Sequence, residues 1–220
     1  MIDLTDRPGR DALAPVVTGL LSPSLRRDLA DLNAQYLELG LAAELEGDPR
    51  FAWAGEVRDC LRAAEVATLA RMAAAPFALF DLLVSRGPEA TVARVEDSRP
   101  SVRARSLLIR CESFAHQAVF LARRVAEADT PASRVVLALS IEARARLMDA
   151  RPSQLAELAR DPRTIRPRWP LHANFWQTLV GASRRDSPAA VEWAHCIGLC
   201  LIGATDADVA PPPPRRRPRR

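Results

Sequence analysis

A chain of 220 residues that is 48% hydrophobic and 26% charged carries enough apolar side chain for a buried core, which excludes an intrinsically disordered polypeptide. Its formal net charge of +4 invites a nucleic-acid reading, yet five of the 31 basic residues lie in the closing PPPPRRRPRR, and the remaining 26 face 27 acidic side chains. The other 210 positions therefore carry −1, which excludes a whole face shaped to a duplex and leaves a local anionic contact through Arg215, Arg216, Arg217, Arg219 and Arg220.

All the basic residues are arginine, and with the abundant alanine this is the residue usage of a GC-rich bacterial genome. The N-terminal MIDLTDRPGR lacks the apolar run of a signal sequence, and Cys60, Cys111, Cys196 and Cys200 follow no disulfide framework. The most apolar stretch, AVEWAHCIGLCLIGA, holds Glu192 and His195 and falls short of a bilayer span. The expectation is a reduced, cytoplasmic protein with no membrane anchor.

Residues 1–21 read as an irregular N-terminal segment. Ser22-Pro23, a capping hydroxyl before a proline at the first helical position, opens a helix roughly 35 Å long with Leu25, Leu29, Leu32, Tyr36, Leu39 and Ala43 on one face. Two short helices follow over FAWAGEVRDCLRAAEVATLARMAAAP, stopped by Pro76, and then the apolar PFALFDLLV. After an irregular stretch around RGPEAT, a second long helix runs from about Val102 to Glu127, with a broad apolar face of Leu108, Cys111, Ala115, Ala118, Phe120, Leu121 and Val125. Thr130-Pro131 opens another helix, and LALSIEARARLMDARPSQLAELARDP another pair of short ones. DPRTIRPRWPLHAN reads as irregular, Ser187-Pro188 opens a last helix, and the proline-rich tail is expected to be extended and disordered. Strand alternation is nowhere evident and glycines number nine, so the predicted fold is all-α.

Residues 51–76 and 137–162, which start 86 positions apart, align without gaps at nine identities: Ala52/Ala138, Glu56/Glu142, Arg58/Arg144, Leu61/Leu147, Ala64/Ala150, Leu69/Leu155, Ala70/Ala156, Ala73/Ala159 and Pro76/Pro162. The shared skeleton of Leu, Leu-Ala, Ala and Pro, with a long amphipathic helix before each copy, predicts an internal duplication. The organisation that follows is an irregular segment at 1–21, repeats at 22–86 and 99–166, a Trp-containing segment and C-terminal helix at 167–204, and a disordered Pro/Arg tail at 205–220.

The order of a long helix and a hairpin closing on SQLAELA resembles the bacterial flagellar transcriptional regulator FlhD family. In that family a helix of the form Asn-x-x-Tyr-Leu precedes a hairpin ending Pro-Gln-hydrophobic-x-x-Leu-Ala. Asn33, Tyr36 and Leu37 match the first element in the first copy. Leu121, Ala122 and Arg124, then Leu137, Leu147, Gln154, Leu155, Leu158 and Ala159, match both elements in the second. The copies depart from the pattern at Ala67-Thr68, where the Pro-Gln turn belongs, and at Ala115 or His116, where the Asn belongs. The resemblance covers about half the chain. It implies intertwined helices, here two repeats forming a pseudo-dimeric bundle in one chain, and action with a zinc-containing, DNA-binding FlhC-like subunit. PFALFDLLV resembles the apolar segment after the family's hairpin, whereas its counterpart RTIRPRWPL is basic and broken by proline.

His195, Cys196 and Cys200 suggest a metal site, but a zinc ion takes four ligands and His116, His172, Cys60 and Cys111 stand in no ligand spacing. They read as apolar-helix residues, and no metal or cofactor is expected. RTIRPRWPLHANFWQ mixes Arg163, Arg166 and Arg168 with Trp169, Phe175 and Trp176, a combination that can hold phosphates and stack bases. The segment reads instead as a meander whose tryptophans plug the bundle while its arginines stay wet, with Arg166 and Arg168 the body's candidates for an anionic contact. No glycine-rich phosphate loop, G-x-S-x-G or H-E-x-x-H is present, so an enzyme is not expected. The reading is a non-enzymatic FlhD-like transcriptional regulator or adaptor, monomeric pseudo-dimer or homo-oligomer, working through a protein partner such as an FlhC-like subunit, with DNA reached by way of the tail or that partner. The alternative is a helical interaction scaffold with no transcriptional role.

Overall fold

The computed structural model describes residues 20–45, 53, 55–84, 102–161, 164–185 and 187–209, with side chains at all of these but 44, 45, 103 and 204–209. The described residues are mainly helical. In chain order they form α1 (Pro23–Leu45), α2 (Gly55–Arg62), α3 (Val66–Ala73), β1 (Phe80–Leu82), α4 (Val102–Ala128), α5 (Thr130–Leu137), α6 (Ile141–Asp149), α7 (Pro152–Arg160), β2 (Ile165–Pro167), α8 (Ala173–Arg185) and α9 (Pro188–Val209).

Helix α1 begins where the sequence places it. The Ser22 hydroxyl accepts from the Leu25 N–H at 3.3 Å, and Pro23 occupies the first turn, where no amide donor is needed. All six residues of its predicted stripe are buried. They face α4, which runs antiparallel alongside: Asp28 pairs with Arg124 at 2.6 Å, Gln35 with Gln117 at 3.3 Å, and Glu38 with Arg110 at 3.9 Å. These exposed polar contacts contribute little energy and mark the register; the apolar seam beneath supplies the stability. On α4, Ala115, Ala118, Leu121 and Val125 are buried, but Leu108 and Phe120 are 43% and 47% exposed, so the broad predicted face is only partly covered.

The short helices keep the register of the sequence repeat. Helix α2 starts at Gly55 and α6 at Ile141, α3 at Val66 and α7 at Pro152, each pair 86 positions apart. Leu61 and Leu147 are fully buried, as are Ala73 and Ala159 to within 3%. The local devices differ. Ser140 caps α6 by accepting from the Ala143 N–H, and Gln154 reaches back from α7 to accept from the Arg151 N–H at 2.8 Å. Glu65 precedes α3 without a side-chain cap. Helix α3 lies against α1 and α8, and α7 lies against α4.

Three expectations are corrected. Two strands exist: β1 and β2 pair antiparallel with Phe80 opposite Pro167, Asp81 opposite Arg166 and Leu82 opposite Ile165. Three-residue strands are too short for period-two alternation to be legible, and their pairing joins residues more than 80 positions apart. Helix α5 takes Asp129, not Thr130, as its flanking N-cap residue. The last helix runs on to Val209, past the 204 at which it was expected to end. The segment around RGPEAT, residues 1–19, Pro162, Arg163 and 210–220 lie outside the described residues.

Candidate functional site

The two strands and the turn after β2 bring together Asp81, Arg166 and Arg168. Arg168 was expected to stay wet; its side chain is instead only 1% exposed. Its Nε donates to Asp81 Oδ1 at 2.8 Å and its Nη1 to the Val136 carbonyl at 3.4 Å, while Nη2 has no protein acceptor. Burial pulls the guanidinium below its ordinary range and the Asp81 carboxylate opposes that shift. Arg166 is exposed and its Nε lies 3.6 Å from Asp81 Oδ2, so two arginines share one carboxylate. Arg166 lies at the surface, whereas Arg168 is buried with two of its three guanidinium nitrogens engaged. The tail arginines Arg215, Arg216, Arg217, Arg219 and Arg220 lie outside the described residues.

The interleaved aromatics are core residues. Trp169, Phe175 and Trp176 are buried, with Phe77 5.7 Å from Trp169 and 6.3 Å from Phe175 between ring centroids. None offers a free face for base stacking. The Trp169 carbonyl accepts from the His172 N–H at 3.1 Å and the Trp176 indole at 3.2 Å, which holds Trp169 in the left-handed region at φ 52°. Asn33 performs the matching task beneath α3. Fully buried, it donates to the carbonyls of Ala73 and Phe77 and accepts from the Leu79 N–H, satisfying backbone that leaves the helix for β1. The packing-motif asparagine is thus a turn clamp.

His195 on α9 meets the Phe77 ring edge-on at 6.0 Å, and its Nε2 is buried without a protein partner. Burial lowers its pKa to about 4, against an ordinary value of about 6.5. Because the folded value is the depressed one, the neutral ring's contribution is fully present above about pH 6.5 and disappears as pH falls toward 4. The expected loss over that window is about 3 kcal/mol, on the linkage of 1.36 kcal/mol per unit. Urea unfolding at pH 7 and pH 4.5 measures it, with His195→Asn flattening the difference; equal slopes for the two proteins would remove His195 from the account.

Among the described residues no group of three His, Cys, Asp or Glu side chains comes together in a way that could hold a metal ion. Cys60, Cys111 and Cys196 are half-buried and Cys200 is exposed, so the last does not fit the expected buried cysteine. No helix among the described residues is long and apolar enough to cross a membrane.

Exposed apolar side chains mark a second surface. Val102, Ile109 and Phe120 are 88%, 63% and 47% exposed, and their spacing of seven and eleven residues sets them on one face of α4. Trp193 on α9 is also exposed. Sequence reasoning missed Asp81 as the partner that makes Arg168 a core residue. The sequence offered one signal, a lone acid inside the apolar PFALFDLLV, which needs either solvent or a cation beside it but does not say which cation. Comparisons with protein-family models, curated proteins and solved structures find no match.

Proposed function

We propose that this chain is a non-enzymatic, FlhD-like regulator or adaptor, in which two helical repeats form a covalent pseudo-dimer that acts through a protein partner such as an FlhC-like subunit. One observation carries the reading: the two hairpins start in an 86-residue register, and each lays its second helix on its own long helix, α3 on α1 and α7 on α4. The antiparallel packing of α1 on α4 and the pairing of β1 with β2 supply the contacts expected between halves of a dimer. The residues Asn33, Tyr36 and Leu37 support the family likeness, since Asn33 and Tyr36 bind the long helix to its hairpin turn and to Phe80. The exposed α4 face of Val102, Ile109 and Phe120 supports a protein partner.

Tagged full-length chain recovered from native cells tests the reading. It is expected to bring down a DNA-binding partner, and Ile109→Asp is expected to lose that partner at an unchanged melting temperature. Recovery of partners with no link to transcription would replace the regulator with a scaffold. If both halves, 20–84 and 102–209, are coexpressed as separate chains, they are expected to copurify; two independently folded, non-associating halves would end the pseudo-dimer reading.

The tail decides whether DNA is touched directly. Truncation after Asp208 removes five arginines from a body near neutrality, so sequence-independent DNA affinity is expected to vanish, with a log–log salt slope shallower by about four. An undiminished slope would move the contact to the body, where Arg166 is the exposed cation to replace first.

A further inference from the structure

A pocket of about 230 Å³ opens where β1, the turn after α5, the turn after β2 and α9 meet, and Arg168 forms part of its wall beside Asp81. Its other walls are the apolar Ala138, Trp169, Pro170, Leu171 and Ile202, together with His172. We infer that this pocket is a binding site for a small organic carboxylate with an apolar body, recognised by the one Arg168 nitrogen that the fold leaves unpaired.

Three observations converge on the site. The first is charge. Arg168 and Arg166 share the single Asp81 carboxylate, at 2.8 and 3.6 Å, so the three together carry +1, with Arg168 and Asp81 in the pocket wall and Arg166 just outside it. The second is hydrogen bonding. Nε and Nη1 of Arg168 are engaged, and the buried Nη2 is a charged donor that lacks a protein acceptor, a deficit that an acceptor oxygen would relieve. A carboxylate suits a guanidinium better than a neutral oxygen does, because both partners are charged and planar.

The third is backbone conformation. The only non-glycine residues with positive φ among those described are Ala138, at 51°, and Trp169, at 52°, and both line this pocket. Left-handed backbone at such side chains is unfavourable and persists where surrounding contacts impose it, a pattern concentrated at binding sites. Here the contacts are visible: the Leu139 N–H reaches back to the Ser133 carbonyl, and the Trp169 carbonyl takes two donors. The volume falls below the roughly 300–1,000 Å³ of pockets for drug-sized ligands, which limits the occupant to about one ring or a short branched chain. A second cleft, of about 260 Å³, shares Leu171 and His172 with the first and gives a longer apolar body room to extend along Ile197 and Leu201 of α9.

Calorimetric titration of the full chain with benzoate, its uncharged isostere benzamide and inorganic phosphate tests this class of ligand. Benzoate is expected to bind with a Kd of about 1 mM or tighter, and benzamide and phosphate at least about tenfold more weakly. Because the pocket joins four elements, saturating benzoate is also expected to raise the melting temperature. Ile202→Phe, which fills the pocket from α9, is expected to abolish binding, and Arg166→Gln, on the surface, to weaken it severalfold without altering the fold. Equal binding of benzoate and benzamide would overturn the role of Arg168, and equal binding of phosphate would overturn the apolar component. No heat with any probe up to about 10 mM would remove the site altogether. None of these outcomes depends on the regulator reading.

Discussion

Leu61→Asp and Leu147→Asp are each expected to lower the unfolding free energy by at least about 4 kcal/mol, enough to leave a domain of ordinary stability mostly or marginally unfolded. Both leucines are fully buried, at equivalent places in the two hairpins, so the substitution puts a carboxyl group where neither water nor a cation waits for it. The loss has two parts: the transfer energy and packing of the leucine, and the desolvation of the acid, which has to take up a proton to remain inside. Circular dichroism melts and urea midpoints of the two variants check it. Unchanged melts would show that the stripe is a surface, and the repeat would then describe an exposed binding face. A large loss at one position alone would show that one hairpin is docked more loosely than its counterpart.

Asp81→Ala comes next, with an expected loss of about 3–5 kcal/mol, because it strands the buried Arg168 guanidinium without its counter-ion. The pair itself is not the source of that stability. Replacing both partners, as in Asp81→Leu with Arg168→Met, is expected to be far milder than Asp81→Ala alone, since an apolar pair avoids desolvating two charges. Equilibrium urea unfolding of the single and double variants forms the cycle. If Asp81→Ala unfolds at the wild-type midpoint, Arg168 finds another anion or reaches water, and both its placement in the core and the carboxylate pocket lose their basis.

The helices were legible because their signals are local. Ser22-Pro23 and Ser187-Pro188 mark starts and Leu25 through Ala43 mark a buried face through relations between residues one to four positions apart, while Leu61 and Leu147 align in a register of 86 residues. Arg168 shows where such signals end. A proline-flanked arginine beside a tryptophan in RPRWP has the local character of exposed chain, and only the return of β1, 87 positions earlier, brings Asp81 against it. Ala138 gave no warning either, since alanine is not a residue that favours positive φ; the left-handed turn is the C-cap of α5, held by the Ala138 and Leu139 N–H groups donating back to the Ser133 carbonyl.

The apolar face of α4 follows the same division. Periodicity established that Leu108, Phe120, Leu121 and Val125 belong to a helix, and it could not distinguish the side that α1 and α7 cover from the side that carries Val102, Ile109 and Phe120 into solvent. By itself the sequence determined where helices begin, which hairpins share a register and how charge divides between body and tail, because caps, proline and the helical period act within one or two turns. Tertiary structure decided which arginine is buried, that two short strands pair, and that Asp81, Ala138, Arg168 and Trp169 meet at one pocket. Those outcomes depend on contacts between segments far apart in the chain, whose burial free energy overrides what each segment prefers alone.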